Sequence, residues 1–245
     1  MGENISSLII GIDEAGRGPL IGDMILAAVV FDHVGLRKLE ELRVRDSKDL
    51  SPHTRAQLYG PIIRSSTVVA VSHITPREID SFNLNRLLLR RIVSLLKIIS
   101  VLIDMNNVTS IIIDEIKGWQ KFLPRKIREL APRARLVVEP RADSKYIVVS
   151  AASIVAKYIR DTNLEPVRRL LGDFGSGYPS DPRTREWIIS EYKADMGKPP
   201  LIIRRTWSTL SSLAPNWFIK KQTRPNHKHV SQKSILDYIS QKDQR

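Results

Sequence analysis

Five apolar runs of strand length and several longer periodic stretches set the plan of this chain. Residues 7–12 form the first run, a short buried strand ending at Asp13. Residues 24–31 form the second, near enough to fold back on the first as an antiparallel hairpin. Ser51-Pro52 reads as an N-cap with proline at the first helical position, opening a short helix toward Tyr59. Residues 67–74 are rich in valine and alternate weakly, as a third strand does. The longest periodic stretch is 83–104, where Leu84, Leu87, Leu88, Ile92, Leu95, Leu96, Ile99, Leu102 and Ile103 cover a wide face. That pattern predicts a deeply packed helix, stopped by Asn106-Asn107. Beyond it the pattern predicts a strand over 110–114, a basic helix over 119–130, a strand over 136–139 and a helix over 150–161 that starts with small residues. The order predicts an α/β domain whose later strands are joined by helical crossovers. From Gly172 onward the pattern loosens into Gly/Pro-rich loops and shorter helices, and a basic, polar tail follows Trp217.

Composition changes this picture in one respect. Lys and Arg number 39 against 26 Asp and Glu, a net charge of +13 with a pI near 10.1. Such a field attracts polyanions: nucleic acid first, an anionic membrane surface second. The 245 residues suffice for a full core. The chain has no cysteine, which excludes disulfides, thiolate catalysis and cysteine-type zinc sites and fits a reducing cytoplasm. No apolar run approaches the roughly 18 residues that span a bilayer. The N-terminus has no basic region leading into a signal core, and Met1-Gly2 with Ser6 matches an acylation pattern only loosely. The expectation is a cytoplasmic protein with no membrane partner.

Candidate chemistry gathers at the strand ends. Asp13 and Asp114 each close an apolar strand, and Asp143 falls between a strand and a helix. If the first two strands are parallel neighbours, all three acids reach the carboxyl rim, where open α/β sheets place ligands. Glu14 points to the opposite face from Asp13 in a regular strand, so sharing one site requires a twist, which Gly16 and Gly18 favour. Oxygen donors of this kind suit Mg²⁺ or Mn²⁺. Two such ions about 3.5–4 Å apart activate an attacking water and stabilise the leaving oxygen of a phosphodiester. Taken singly, each acid also reads as a cap or a surface charge. Gly16-Arg17-Gly18 offers backbone N–H groups to a sugar or phosphate, and Ser150, Ser153 and Lys157 fall on one helical face near an N-terminus that favours phosphate. Those three also read as packing residues and a solvated lysine. Residues 46–48 and 204–207 read equally as plain surface loops.

The segments "GIDEAGRGPLIG", "DSKDLS", "FNLNRL", "IIIDEIKG", "ADSKYIVVSAASIVAKYIRD" and "GSGYPSDPRT", in that order, resemble ribonuclease HII in its archaeal form. The resemblance runs from about Ile9 to Trp207. It implies a ribonuclease H-like mixed five-stranded sheet flanked by helices, with a small helical C-terminal region. It also implies endonucleolytic hydrolysis of the RNA strand of RNA/DNA hybrids and incision 5′ to ribonucleotides embedded in duplex DNA. Two Mn²⁺ or Mg²⁺ ions would assist, leaving 5′-phosphate and 3′-hydroxyl ends. By motif position, Asp13, Glu14, Asp114 and Asp143 correspond to the family's catalytic and metal-binding carboxylates. Gly16, Arg17 and Gly18 match the segment that senses the ribose 2′-hydroxyl, which distinguishes RNA from DNA. Tyr178 matches the tyrosine that packs on the adjoining sugar, and Lys48, Ser153 and Lys157 would hold phosphates. The chain departs from the family pattern at Asp23-Met24, at Pro140-Arg141, where archaeal members more often carry His-Lys, and at Ile147, where proline is common. The missing histidine puts any histidine-assisted step in doubt, and His227 and His229 read as solvated tail residues.

The organisation expected is a catalytic region over 1–171, a helical and loop region over 172–217 that completes the substrate cleft, and a basic tail over 218–245. The tail reads either as a solvated extension or as a phosphate-tracking arm. Within it "QKSILDYI" resembles the peptide by which replication proteins dock on a sliding clamp, with Gln232, Ile235 and Tyr238 as anchors of a short helical plug over 232–239. Ile239 replaces the usual second aromatic. A monomer meets every requirement of single-site incision. A nucleic-acid-binding module, or a resolvase- or transposase-like nuclease on the same scaffold, is the competing reading, because fold alone does not choose among them.

Overall fold

The computed structural model describes residues 7–42, 44 and 50–221. Strand β1 (Leu8–Ala15) turns through the glycines and pairs antiparallel with β2 (Met24–Phe31), Asp13 opposite Ala27. Helices α1 (His33–Glu41) and α2 (Pro52–Ser65) lead to β3 (Val68–Ile74), which adds to the free edge of β2. Then come α3 (Pro76–Ser81), α4 (Leu84–Leu102), β4 (Val108–Asp114), α5 (Leu123–Leu130) and β5 (Arg135–Glu139). Helices α6 (Ala142–Lys145), α7 (Ile147–Leu171), α8 (Pro182–Ala194) and α9 (Leu210–Leu213) complete the described chain. The sheet order is β3-β2-β1-β4-β5, with β4 parallel to β1 and β5 parallel to β4.

Burial on both faces explains why β2 carries no polar residue: all eight of its positions are buried. One face packs on α4 and α5, joining Ile10, Ile12, Leu26 and Ile113 to Leu88, Ile92, Leu96 and Ile127. The other packs on α1, α2 and α7, joining Val29 and Ile112 to Leu39, Ile62, Val149 and Ile154. Each fully buried aliphatic side chain contributes about 1.5–3 kcal/mol. Helix α7 lies unusually close to β1, since a Cβ on Gly11 would stand 2.2 Å from the Val148 carbonyl oxygen. Any other residue at position 11 would push the helix off the sheet. A third cluster links Leu20 and Ile21 of the glycine turn to Leu164, Phe174, Trp187, Ile203, Leu210 and Trp217.

The strand expectations hold, with β1 running three residues further, through both acids to Ala15. The predicted twist at Asp13-Glu14 is therefore absent, and the glycine turn begins only at Gly16, where φ is +84°. The helices differ more. Helix α1 has no counterpart in the sequence expectation, although Asp32 caps it by accepting from the Gly35 N–H. Helix α2 continues past Tyr59 through Pro61, and α7 continues past Asp161 through Pro166. Each proline removes one helical hydrogen bond, but Ile62 after Pro61, and Leu164, Val167 and Leu171 on either side of Pro166, keep each helix docked. The basic helix over 119–130 is a 3₁₀ turn at Trp119–Lys121 followed by α5. No helix among the described residues is long and apolar enough to cross a membrane.

Candidate active site

The acids come together because β1 and β4 run parallel in register. The last paired residues are Ile12 and Ile113, so Asp13 and Asp114 follow side by side on strands about 4.8 Å apart. Asp13 is 6% exposed and projects to the α7 side, where the Ser153 hydroxyl hydrogen-bonds its carboxylate and the Glu14 N–H donates to its Oδ1 at 2.7 Å. Ser153 reaches it because Gly11 lets α7 approach. On the same side the Ala142 N–H donates to Asp114 Oδ1 at 2.8 Å. The turn into α6 places Arg141 in the left-handed region, φ +56°, and makes Asp143 the residue after the one that holds Asp114. Asp143 is buried, 4% exposed.

Glu14 alternates to the α4 side. Its carboxylate receives Arg17 Nη1 at 3.0 Å, and the second Arg17 nitrogen donates to Asn85 Oδ1 in the first turn of α4. Burial pushes the Asp13 carboxyl well above the usual carboxylate range, and the neighbouring Glu14 and Asp114 charges push the same way against the Ser153 hydrogen bond. Glu14 is also raised, by burial first and by Asp114, with Arg17 opposing. Here acids are buried beside acids with one guanidinium among them, an arrangement that a cation relieves.

The donor set is hard oxygen, which fits Mg²⁺ or Mn²⁺ in kind. Among the described residues no three His, Cys, Asp or Glu side chains stand close enough to enclose an ion as placed. Glu14 turned to Arg17 and Asp114 engaged by Ala142 account for this: the strand ends bring the carboxylates to one rim, and closing them on an ion requires their side chains to turn.

The other candidates divide clearly. Gly16, Arg17 and Gly18 form the turn, and the Tyr178 ring lies over Gly18, with Cε1 3.3 Å from where a Cβ would be. Ser153, expected to hold phosphate, is buried and occupied with Asp13. Lys157 is half-buried one turn further along α7. Lys48, Gln232, Ile235, Tyr238 and the two tail histidines lie outside the described residues. Sequence reasoning passed over Asn85 and the buried Arg160, and the surface-loop reading of 204–207 is corrected at Arg204, which is fully buried. Arg160 continues the stripe of Ser150, Ser153 and Lys157 at the same helical spacing, a signal that was present. Its guanidinium lies 5.7 Å from the Tyr178 ring centroid. Arg204 lacked any local signal.

A mixed sheet of this order, with acids at the ends of its central parallel strands, defines a hydrolase of the ribonuclease H fold. The ribonuclease H2 of Pyrococcus horikoshii superposes with a TM-score of 0.74 at 36% identity, covering 86% of this chain and 98% of that one. In the structure of a PCNA:RNase HII complex from Archaeoglobus fulgidus, the matching chain gives a TM-score of 0.70 at 33% identity, over 84% of this chain and 96% of that one. Ribonuclease HII of Hyperthermus butylicus is 41% identical over 232 residues, 94% of either chain. The sequence profile of the family described as Ribonuclease HII matches residues 10–210, and the chain belongs to that family. It is a ribonuclease H, cleaving the RNA strand of RNA/DNA hybrids endonucleolytically.

Proposed function

We propose that the enzyme also incises duplex DNA 5′ to single embedded ribonucleotides, leaving 5′-phosphate and 3′-hydroxyl ends, with Asp13, Glu14, Asp114 and Asp143 holding two Mg²⁺ or Mn²⁺ ions. The observation that carries this is the adjacency of Asp13 and Asp114 at the rim, with Glu14 across the strand and more buried acid there than the single Arg17 guanidinium offsets. When bound, the ions supply an activated water and charge stabilisation at the leaving oxygen. Ser153 orients the Asp13 carboxylate, and the Ala142 N–H orients that of Asp114. Arg17 Nη1 pairs with the Glu14 carboxylate, which would share in holding the ions. Gly16 to Gly18 present backbone to the ribose 2′-hydroxyl while Tyr178 packs on the adjoining sugar; Lys48 and Lys157 face phosphates. The region from Gly172 completes the cleft, an assignment supported by the packing of Phe174, Ile203 and Trp217 against the glycine turn. Residues 232–239 dock on a sliding clamp, a reading supported by the Archaeoglobus fulgidus relative seen in complex with PCNA.

A labelled duplex carrying one ribonucleotide tests the reading. With Mg²⁺ or Mn²⁺, cleavage on the 5′ side of that ribonucleotide is expected, and chelator abolishes it. Tyr178→Ala is expected to slow this incision more than it slows digestion of a long hybrid. An enzyme that digests hybrids but leaves the isolated ribonucleotide intact would overturn the proposal.

A further inference from the structure

The glycine turn is held by a segment far away in sequence, Trp207 lying 189 residues beyond Gly18. Arg204 is fully buried behind the turn. Its Nε donates to the Gly22 carbonyl at 2.9 Å and its Nη1 to the Arg17 carbonyl at 3.2 Å. Its backbone N–H donates to the Leu20 carbonyl at 2.9 Å, while the Gly22 N–H donates to Ile202 at 2.8 Å. Trp207 adds its indole N–H to the Gly18 carbonyl at 2.9 Å and stacks its ring 5.3 Å from the Arg204 guanidinium. The segment is itself tied down, because the Asp80 carboxylate accepts from the Arg205 and Thr206 N–H groups and the Thr206 hydroxyl.

This arrangement has a directional consequence. In a trans peptide the carbonyl and the next N–H point in opposite directions. Fixing the Arg17 carbonyl on Arg204 therefore turns the Gly18 N–H away from the C-terminal segment, and that N–H has no partner among the described residues. Tyr178 stands against the same glycine. Only a guanidinium fork spans two carbonyls of one turn in this way; an ammonium is a point donor. The choice is costly: burial, and then the nearby Arg160 charge, push the Arg204 pKa down to about 9, and its second terminal nitrogen has no partner among the described residues.

We propose that Arg204 and Trp207 are positioning residues for ribose selection: holding the carbonyls of Arg17 and Gly18 from behind, they fix the Gly18 N–H toward the bound strand. The inference rests on the reading of the glycine turn as the ribose sensor. Neither side chain touches the nucleic acid in this role; both act through the turn.

The test compares affinities, by fluorescence anisotropy in chelator, for a duplex with one ribonucleotide and the same duplex of DNA alone. Wild type is expected to prefer the ribonucleotide. Trp207→Phe keeps the ring and loses the donor, and the preference is expected to fall about threefold to tenfold, the scale of one hydrogen bond. Arg204→Lys is expected to lose more, with Trp207→Phe deciding the matter if the buried lysine prevents folding. Thermal melting certifies that each variant compared is folded. A purely structural role predicts equal losses on both duplexes, and that result, or an undiminished preference in folded Trp207→Phe, overturns the inference alone. No preference in wild type removes the ribose-sensor reading itself, and the inference with it.

Discussion

The acid rim and the glycine turn are separated by a single residue, Ala15, yet they are stabilised in opposite ways. At the rim, Asp13 and Glu14 are ordered by strand pairing and by hydrophobic neighbours, while their charges work against the folded state. In the turn, the carbonyls of Arg17, Gly18, Leu20 and Gly22 are each matched by a donor from residues 204–207, so these carbonyls are satisfied while the Gly18 N–H has no partner among the described residues. The rim holds a deficit that a ligand fills; the turn holds a shape that a ligand meets. If the rim does the chemistry and the turn the selection, as proposed, the two are separated, since charge can change at the first without loosening the second.

The largest expected effect tests the deficit. Asp13→Asn removes a carboxylate that, in the proposed function, holds a cation worth several kcal/mol of transition-state stabilisation, so cleavage is expected to drop by about 10³-fold or more in a gel assay. The same change is expected to raise the melting temperature in chelator by about 2–4 °C, corresponding to roughly 1 kcal/mol in a chain of this size. The sign follows from linkage. A folded-state pKa above the ordinary aspartate value of 3.8 means the native protein binds the proton more tightly than the unfolded chain, so stability falls as pH rises from 3.8 through the raised pKa. Melting wild type and variant across that window separates the effect from other groups: the gap in favour of Asn is expected to widen with pH. A constant gap would mean the rim charge is already compensated, and the contrast with the turn would collapse.

The next effect tests the shape. Gly16 adopts φ +84°, and a Cβ there would lie 2.7 Å from Cδ and Nε of Arg160. Gly16→Ala is expected to cost about 1–3 kcal/mol of stability, measured by chemical denaturation, through backbone strain and displacement of that buried guanidinium. Little change would show the turn to be less constrained than its hydrogen bonding implies. The smallest effect tests the support behind it. Glu78 closes a capping box with Thr75 at the start of α3, the helix that carries Asp80, and pairs with Arg91. Although burial raises its carboxyl, the Thr75 N–H and Arg91 outweigh burial and hold it below the ordinary glutamate value of 4.5. Glu78→Gln is expected to cost about 1 kcal/mol at neutral pH, the scale of a helix cap. Because a lowered carboxyl stabilises above its unfolded pKa and loses that as pH falls, the difference in melting temperature is expected to close below about pH 4.5.

Legibility followed the range of the interactions. The strand runs were readable because burial on both faces leaves a continuous apolar signature, as in β2. Asp13 and Asp114 were readable as a pair because each ends such a run, and parallel pairing then sets them side by side. The twist expected at Glu14 was wrong for a reason the sequence did not contain: pairing with β2 holds β1 extended as far as Ala15, opposite Ile25, so alternation persists through both acids. Helix ends were misjudged where prolines at 61 and 166 are overridden by the burial of Ile62 and Leu164, a tertiary contribution that no local window records. Ser153 was placed on the helical face that the structure shows, but its bond to Asp13 was not legible, since only the close approach at Gly11 brings the two together.

The sequence by itself determined the five strands, the family and the acids at the strand ends, because periodicity, composition and motif spacing are properties of neighbours along the chain. Only the tertiary structure decided that Glu14 faces Arg17 and Asn85, that Arg204 is buried, and that residues 202–207 grip the turn at Arg17 to Gly22. Those outcomes depend on which distant segments share a surface, and hydrogen bonds between segments so far apart leave no periodic mark on either one.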